Sequence, residues 1–413
     1  MPYTRPDLEA EAAQIQQLAG QAAQANDGDA LLEAYRRFRD ISDATSTAGT
    51  IASIRHTVDT RDDYYSAEND YFDLQGPVLG DKSLGFYRAV LASPHKAALE
   101  KKYGAILLEK MEIAVKSSDE RLIPLQQEEN ALETVYEKLY ASARIPFRGQ
   151  ELTVAQLGPY KQSTDRTTRK EAFEAEGGFF DANREELDGI YDRLVRNRTQ
   201  QAKTLGFGRF TPLGDIRMER HGYTRQEIVA CRDAVAQGVV PFAQRLKMRQ
   251  AQRIGVDKLR FYDDPLSFPD GNPTPKGTPE EILAAGQRMY HGLSAETAGF
   301  IDFMMDGGLF DVLAKPGKAP GGYCTYIPAY QSPFIFSNFN GTAGDVDVLT
   351  HEAGHAFAAY LAAKRDLPGE LRNPGLESCE IHSMAMEFLT ADYHHLFFKE
   401  DSAKYAITHA EDA

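Results

Sequence analysis

The sequence predicts a mainly α-helical protein with a small amount of β-structure. Three observations make that prediction. Apolar residues recur at helical spacing along most of the chain, two helix starts carry full capping signals, and only two short segments read as β-structure.

Leu8, Ala12, Ile15, Ala19 and Ala22 share one face of a first helix, which Pro6 and Asp7 introduce. Leu31, Leu32, Tyr35 and Phe38 do the same for a second, with residues 21–29 as the connection. Further helices are expected near 62–74, 94–115, 122–143, 166–175 and 183–205. Tyr64, Tyr65, Tyr71 and Phe72 stand at helical spacing and are read as core rather than as a functional cluster. Thr224 with Glu227, and Thr278 with Glu281, fit the capping-box pattern, and Pro279 suits the first helical position of the second helix.

The first β-element is a hairpin at 144–152, where Ile145 and Phe147 lead into the turn Arg148-Gly149-Gln150. The second is a strand over Ser332–Phe339, between a Gly/Pro-rich loop at 316–322 and the turn-like Asn340-Gly341. Residues 262–278, with Pro265, Pro269, Pro273 and Pro275, read as a loop between helical units. The expected organisation is an N-terminal helical region over 1–200 and a second region over 201–413 that carries the candidate site.

A chain of 413 residues suffices for one large or two ordinary domains, and 42% hydrophobic with 26% charged residues reads as soluble and globular. No apolar run approaches the roughly 18 residues of a membrane span. The N-terminus MPYTRPDLEAEAA has neither the basic nor the apolar segment of a signal peptide, so a cytoplasmic location is expected. A net charge of −15 argues against nucleic acid or an anionic membrane as a main partner. Cys231, Cys324 and Cys379 are too scattered for a disulfide framework and read as reduced thiols.

The chemistry concentrates in DVDVLTHEAGHAFAAYLAA, an amphipathic helix over 345–363. Four-residue spacing puts His351 and His355 one turn apart on the same face, where both imidazoles can reach one Zn²⁺. Glu352 lies about one hundred degrees further round, which suits a general base beside the metal rather than a ligand. A catalytic zinc needs a third protein ligand and an open position. The following helical stretch GLESCEIHSMAMEFLTADYHH offers Glu377, Glu380, His382 and Glu387. His394 and His395 are read as surface residues.

HEAGH, preceded by SPFIFSNFNGTAGDV and followed by E-I-H-S-x-x-x-E, resembles the thimet oligopeptidase and oligoendopeptidase F family of gluzincins. The segment 145–175, with STDRTTRKEAFEA, is similar to the same family. The likeness is strong over 316–413 and weak before residue 144. It implies an elongated, two-lobed helical peptidase with a deep central cleft and a small β-sheet beside the HExxH helix. It assigns Glu380 as the third ligand of one Zn²⁺ per chain, with Glu377, Ser383 and Glu387 around the ligands. The implied reaction is hydrolysis of internal bonds in short unstructured peptides, with zinc-activated water as nucleophile and Glu352 as base. Ser332–Phe339 is expected to form the sheet edge to which substrate adds, with Gly322, Tyr323, Phe336, Asn338 and His382 as substrate contacts.

Members of the family continue beyond the point where this chain ends at HAEDA, and that part supplies His and Tyr residues that stabilise the tetrahedral intermediate. A fragment of a longer peptidase is therefore expected, with His382 and Tyr323 as candidates to stand in for those donors. Two rival readings use the same ligands: a zinc carboxypeptidase of the related helical HExGH group, and a non-catalytic helical metal-binding protein.

Overall fold

The computed structural model describes residues 1–220 and 222–412. Helices α1 (Leu8–Ala23), α2 (Gly28–Val58) and α3 (Asp63–Ala92) pack on one another. Asp7, Asp27 and Asp62 start them, each side chain accepting a backbone N–H of the first turn. Leu31, Tyr35, Phe38, Phe86 and Val90 fill their core, with Phe38 stacked on Phe86 at 4.3 Å between ring centroids.

Helix α3 runs on past the expected end at 74 and through Pro77. A mid-helix proline costs about 3 kcal/mol locally, and here packing against α1 and α2 outweighs it. The reading of Tyr64, Tyr65, Tyr71 and Phe72 as core is corrected: Tyr64 is 54% exposed and the others are half-buried. Part of their cover is the N-terminal segment, where Tyr3 packs edge-on against Tyr64 and Tyr65 and Tyr71 Oη donates to Pro6 O; Arg55 and Gly49 of α2 lie against Tyr65 and Phe72.

The helix expected over 94–115 divides at Gly104 into α4 (Ala97–Tyr103) and α5 (Ala105–Ser117). Gly104 has φ +90°, a conformation glycine adopts without steric cost. Helix α6 (Ile123–Ala141) precedes the hairpin of β1 (Ile145–Phe147) and β2 (Gln150–Leu152). Both residues of its turn, Arg148 and Gly149, have positive φ, as a type I′ turn requires.

Next come α7 (Gly158–Lys161), α8 (Arg166–Ala182), α9 (Arg184–Thr204) and α10 (Phe210–Arg217). Residue 200, the expected division, falls inside α9. Buried Asn197 and Gln201 tie that helix to α6, donating to Glu128 and Glu129. Helices α11 (Arg225–Ala234) and α12 (Val240–Arg253) are joined by a π-helical stretch, Val235–Val239. Helices α13 (Pro279–Leu293) and α14 (Ala295–Asp306) follow the predicted loop. Both expected capping boxes form, at Thr224 and Thr278.

Asp263 anchors the 262–278 loop. Its fully buried carboxylate accepts from Arg166 Nε and Nη2 at 2.9 and 2.7 Å and from Arg169 Nη2 at 2.9 Å. Burial pushes its pKa up, but the hydrogen bonds from Arg166, the Arg260 N–H and Arg169 hold it down to about 2. The depressed value contributes stability above the ordinary 3.8, and that contribution is lost as pH falls to about 2. Asp263→Ala leaves the buried Arg169 guanidinium without its counter-charge, so denaturant unfolding should show a loss of about 3–5 kcal/mol.

A three-stranded sheet lies in the C-terminal half: β3 (Phe310–Leu313), β4 (Tyr323–Ile327) and β5 (Ser332–Phe339), in the order β3-β5-β4. β5 runs parallel to β3 and antiparallel to β4. The expected edge strand is therefore the central one, because its near-continuous apolar run is buried on both faces. The edge is β4.

Helix α15 (Gly344–Ala363) lies on β5 and β4. It is followed by α16 (Gly369–Arg372), α17 (Leu376–Leu389), α18 (His395–Phe398) and α19 (Ser402–Asp412). Met289, Phe300, Ile335, Leu349, Met386 and Phe398 belong to their shared core. His394 is buried, not a surface residue, because α19 folds back and sets Tyr405 against it at 4.6 Å; His395 is exposed. Among the described residues no helix is long and apolar enough to cross a membrane.

Candidate active site

The turn between β5 and α15 fixes where the HEAGH helix begins. Asp345 accepts the backbone N–H groups of Asn340 and Gly341 at 2.9 and 2.8 Å, and the Asn340 amide donates to Ala155 O at 2.9 Å. Burial raises the Asp345 carboxyl to about 6, the two N–H donors pulling the other way.

Two turns into this helix, His351 and His355 stand edge-to-face at 5.0 Å between ring centroids. Glu380, on the neighbouring α17, brings Oε2 to 3.2 Å from His351 Nε2 and 3.7 Å from His355 Nε2. One ligand atom from each of these residues falls within a 4.8 Å cluster. Two imidazole nitrogens and a carboxylate oxygen converging this closely fit a catalytic divalent metal centre, and the half-exposed Glu380 leaves one side open.

Two neighbours hold the ligands in place. Glu387 Oε1 lies 2.7 Å from His351 Nδ1. It accepts the hydrogen bond of the Nδ1–H and leaves the Nε2 lone pair facing Glu380. Buried Ser383 donates to Glu380 Oε2 at 2.8 Å. Glu387→Gln keeps the shape but weakens that hold, so equilibrium dialysis should show metal affinity reduced about 10–100-fold.

Glu352 projects into the same space but is not among the clustered ligand atoms. It is 8% exposed, and burial raises its carboxyl to about 7. His351 and the facing Cys324 N–H lower it, while Glu380 raises it. A carboxyl near neutrality suits a group that must both take and return a proton. Gly322 borders it: a Cβ there would lie 3.8 Å from Glu352 Oε1 and 3.1 Å from Val348 Cγ1.

Other expected site residues sit elsewhere. Glu377 is committed to Arg220, whose Nη2 donates to it at 2.6 Å, and to Tyr223; it orients no histidine. Helical spacing places it near Glu380, but the start of α17 faces Met218, Arg220 and Tyr223. Phe336 is fully buried and stacked on Tyr323 at 4.7 Å, so its side chain is withdrawn from substrate. Asn338 donates its amide to Ala319 O and Gly321 O, both at 2.9 Å, and so shapes the approach to Gly322 rather than facing a ligand. Tyr323 Oη lies 2.7 Å from Thr57 Oγ1. His382 packs against the His355 ring at 5.3 Å, and neither of its nitrogens has a partner among the described residues. Burial pushes the Cys324 thiol up, which leaves it an unreactive packing residue.

Sequence reasoning missed Gly354, which lies between the two histidines. A Cβ on it would meet His382 O at 2.5 Å and Ser383 Cα at 2.6 Å, so only glycine lets α17 approach α15 this closely. A glycine inside a strong helical pattern was the available signal.

Residues 1–118 match the peptidase M3 N-terminal domain, and residues 300–411 match peptidase family M3. Among solved structures, PZ peptidase A with inhibitor 2 superposes at a TM-score of 0.98 and 44% identity, over all of this chain and 73% of that one. The chain belongs to peptidase family M3. A structure assigned as oligoendopeptidase F from Bacillus anthracis strain Ames is equally similar to this M3 chain: TM-score 0.98, 44% identity, 75% of its length covered. A search of curated proteins returned no match. Family M3 membership makes the protein a metalloendopeptidase with the helical fold of oligoendopeptidase F.

Proposed function

We propose that the protein is a zinc-dependent endopeptidase acting on short unstructured peptides, with His351, His355 and Glu380 as ligands and Glu352 as general base. The observation that carries this reading is the convergence of the three ligand atoms within 4.8 Å beside a buried carboxylate. A zinc ion held there supplies a Lewis acid that polarises the scissile carbonyl and acidifies water.

Glu352 takes the proton of the attacking water as its oxygen bonds to the carbonyl carbon. As the C–N bond breaks, the same carboxyl delivers that proton to the leaving amine nitrogen. Glu387 and Ser383 keep His351 and Glu380 oriented throughout. Substrate adds as an extra strand on β4, an edge strand on which the HEAGH helix also packs, through backbone hydrogen bonds that are indifferent to side-chain identity. Gly322 leaves room beside Glu352 for the peptide backbone.

An internally quenched peptide with both ends blocked tests the reading. It should be cleaved, and chelation should abolish cleavage until zinc is restored. Cleavage only of peptides with a free carboxylate would favour a carboxypeptidase instead.

A further inference from the structure

The loop leading into β4 changes character halfway along. Gly317, Lys318 and Ala319 are buried, whereas Pro320, Gly321 and Gly322 are exposed, the last of them beside Glu352. The exposed half continues the β4 edge, so whatever fixes it bears on peptide binding.

The buried half is anchored in a fault of the sheet. Between the pairs Asp311–Phe336 and Leu313–Phe339, Val312 of β3 stands opposite both Ser337 and Asn338 of β5. An extra residue of this kind disrupts the ladder and re-aims a side chain. Carbonyls around it turn to Lys318 instead: Nζ donates to Asp311 O and Leu313 O, both at 3.0 Å, and to Ser337 O. Asp311 Oδ1, at 2.6 Å, supplies the counter-charge, and the ammonium lies 4.4 Å from the Phe336 ring centroid. The Lys318 side chain has no exposed surface. A residue without the ammonium would strip a donor from all these carbonyls at once.

The same fault turns Asn338 towards the loop, where its amide donates to Ala319 O and Gly321 O. From the other side, Thr60 donates its N–H and hydroxyl to Gly317 O at 2.7 and 2.8 Å. Ala319 N–H donates to Thr57 O at 2.8 Å. Lys318 sits between these ties to β5 and α2, and links the loop to β3.

We propose that Lys318 is a positioning residue for peptide binding: by plugging the fault between β3 and β5 it fixes the loop 317–322, and so holds Gly321 and Gly322 where a peptide backbone on β4 passes Glu352. The peptide part rests on the reading of β4 as the substrate edge; the fixing of the loop does not.

Lys318→Met keeps the apolar stem, removes the ammonium and touches neither the ligands nor Glu352. Hydrogen–deuterium exchange should become about tenfold faster over 317–322 and stay unchanged over 345–363. KM for the quenched peptide should rise about tenfold, the worth of one misplaced hydrogen bond. Metal content and kcat should hold, because β4 stays paired with β5 and the ligand set is intact. A merely weakened fold would do the opposite, lowering kcat through the active fraction with KM unmoved, and that result overturns the proposal. Equal exchange in the two proteins overturns it as well, whether or not peptide is cleaved. Faster exchange with unchanged KM takes Lys318 out of peptide binding. A wild-type protein that cleaves no peptide would sink the peptidase reading, while the exchange comparison still decides the loop. Should Lys318→Met fail to fold, Asp311→Asn keeps the shape and weakens the hold on Nζ. It should give the same two shifts in smaller measure, and their absence overturns the proposal.

Discussion

Glu352→Gln is expected to abolish hydrolysis while leaving the metal bound. The amide is isosteric with the carboxylate, so the tight surroundings of this 8% exposed side chain are undisturbed. The three clustered ligand atoms belong to His351, His355 and Glu380, none of which is altered. What disappears is the ability to accept a proton: an amide cannot act as a base near neutral pH, whereas burial has brought this carboxyl to about 7. Loss of a positioned general base lowers kcat by roughly 10²–10⁴-fold. Metal content measured on the purified variant should match wild type to within experimental scatter. Retained turnover would remove Glu352 from the mechanism, and loss of activity together with loss of metal would make it a ligand instead.

Much of this site was legible because it is local. His351, Glu352 and His355 lie within one helical turn and a residue, so 3.6-residue periodicity alone sets their relative directions. The capping boxes at Thr224 and Thr278 are equally local and formed as read. What failed depended on partners far along the chain. β5 reads as an edge in the sequence because its neighbours β3 and β4 are short and hard to separate from the loops around them. Glu377 has helical spacing to Glu380, but Arg220, 157 residues away, captures it. Phe336 and Tyr323 looked available to substrate until their stacking and the Thr57 contact, 266 residues distant, were seen. Glu380 is intermediate: it was one of several acids on a helix until the resemblance singled it out, and its position against the histidines is a tertiary fact.

That position rests on Gly354, so Gly354→Ala should disable the site without touching a ligand. The added methyl would sit 2.5 Å from His382 O and 2.6 Å from Ser383 Cα, both backbone, so no side-chain rotation relieves the clash. Either α17 moves away or α15 bends, and overpacking of this kind costs about 1–3 kcal/mol. The larger effect falls on function. Glu380 is carried by the displaced segment, three residues before Ser383, and its oxygen must stay near both Nε2 atoms to complete the ligand set. A displacement of about 1 Å at a catalytic constellation can reduce the rate about 10²-fold, and a weakened third ligand adds loss of metal to that. The comparison that isolates the effect is Gly85→Ala, where a methyl meets nothing within 4 Å inside α3. That change should stabilise the fold slightly, since alanine is favoured over glycine by about 1 kcal/mol in a helix interior. If Gly354→Ala bound zinc and cleaved peptides like Gly85→Ala, the close approach of α15 and α17 would not be what places Glu380.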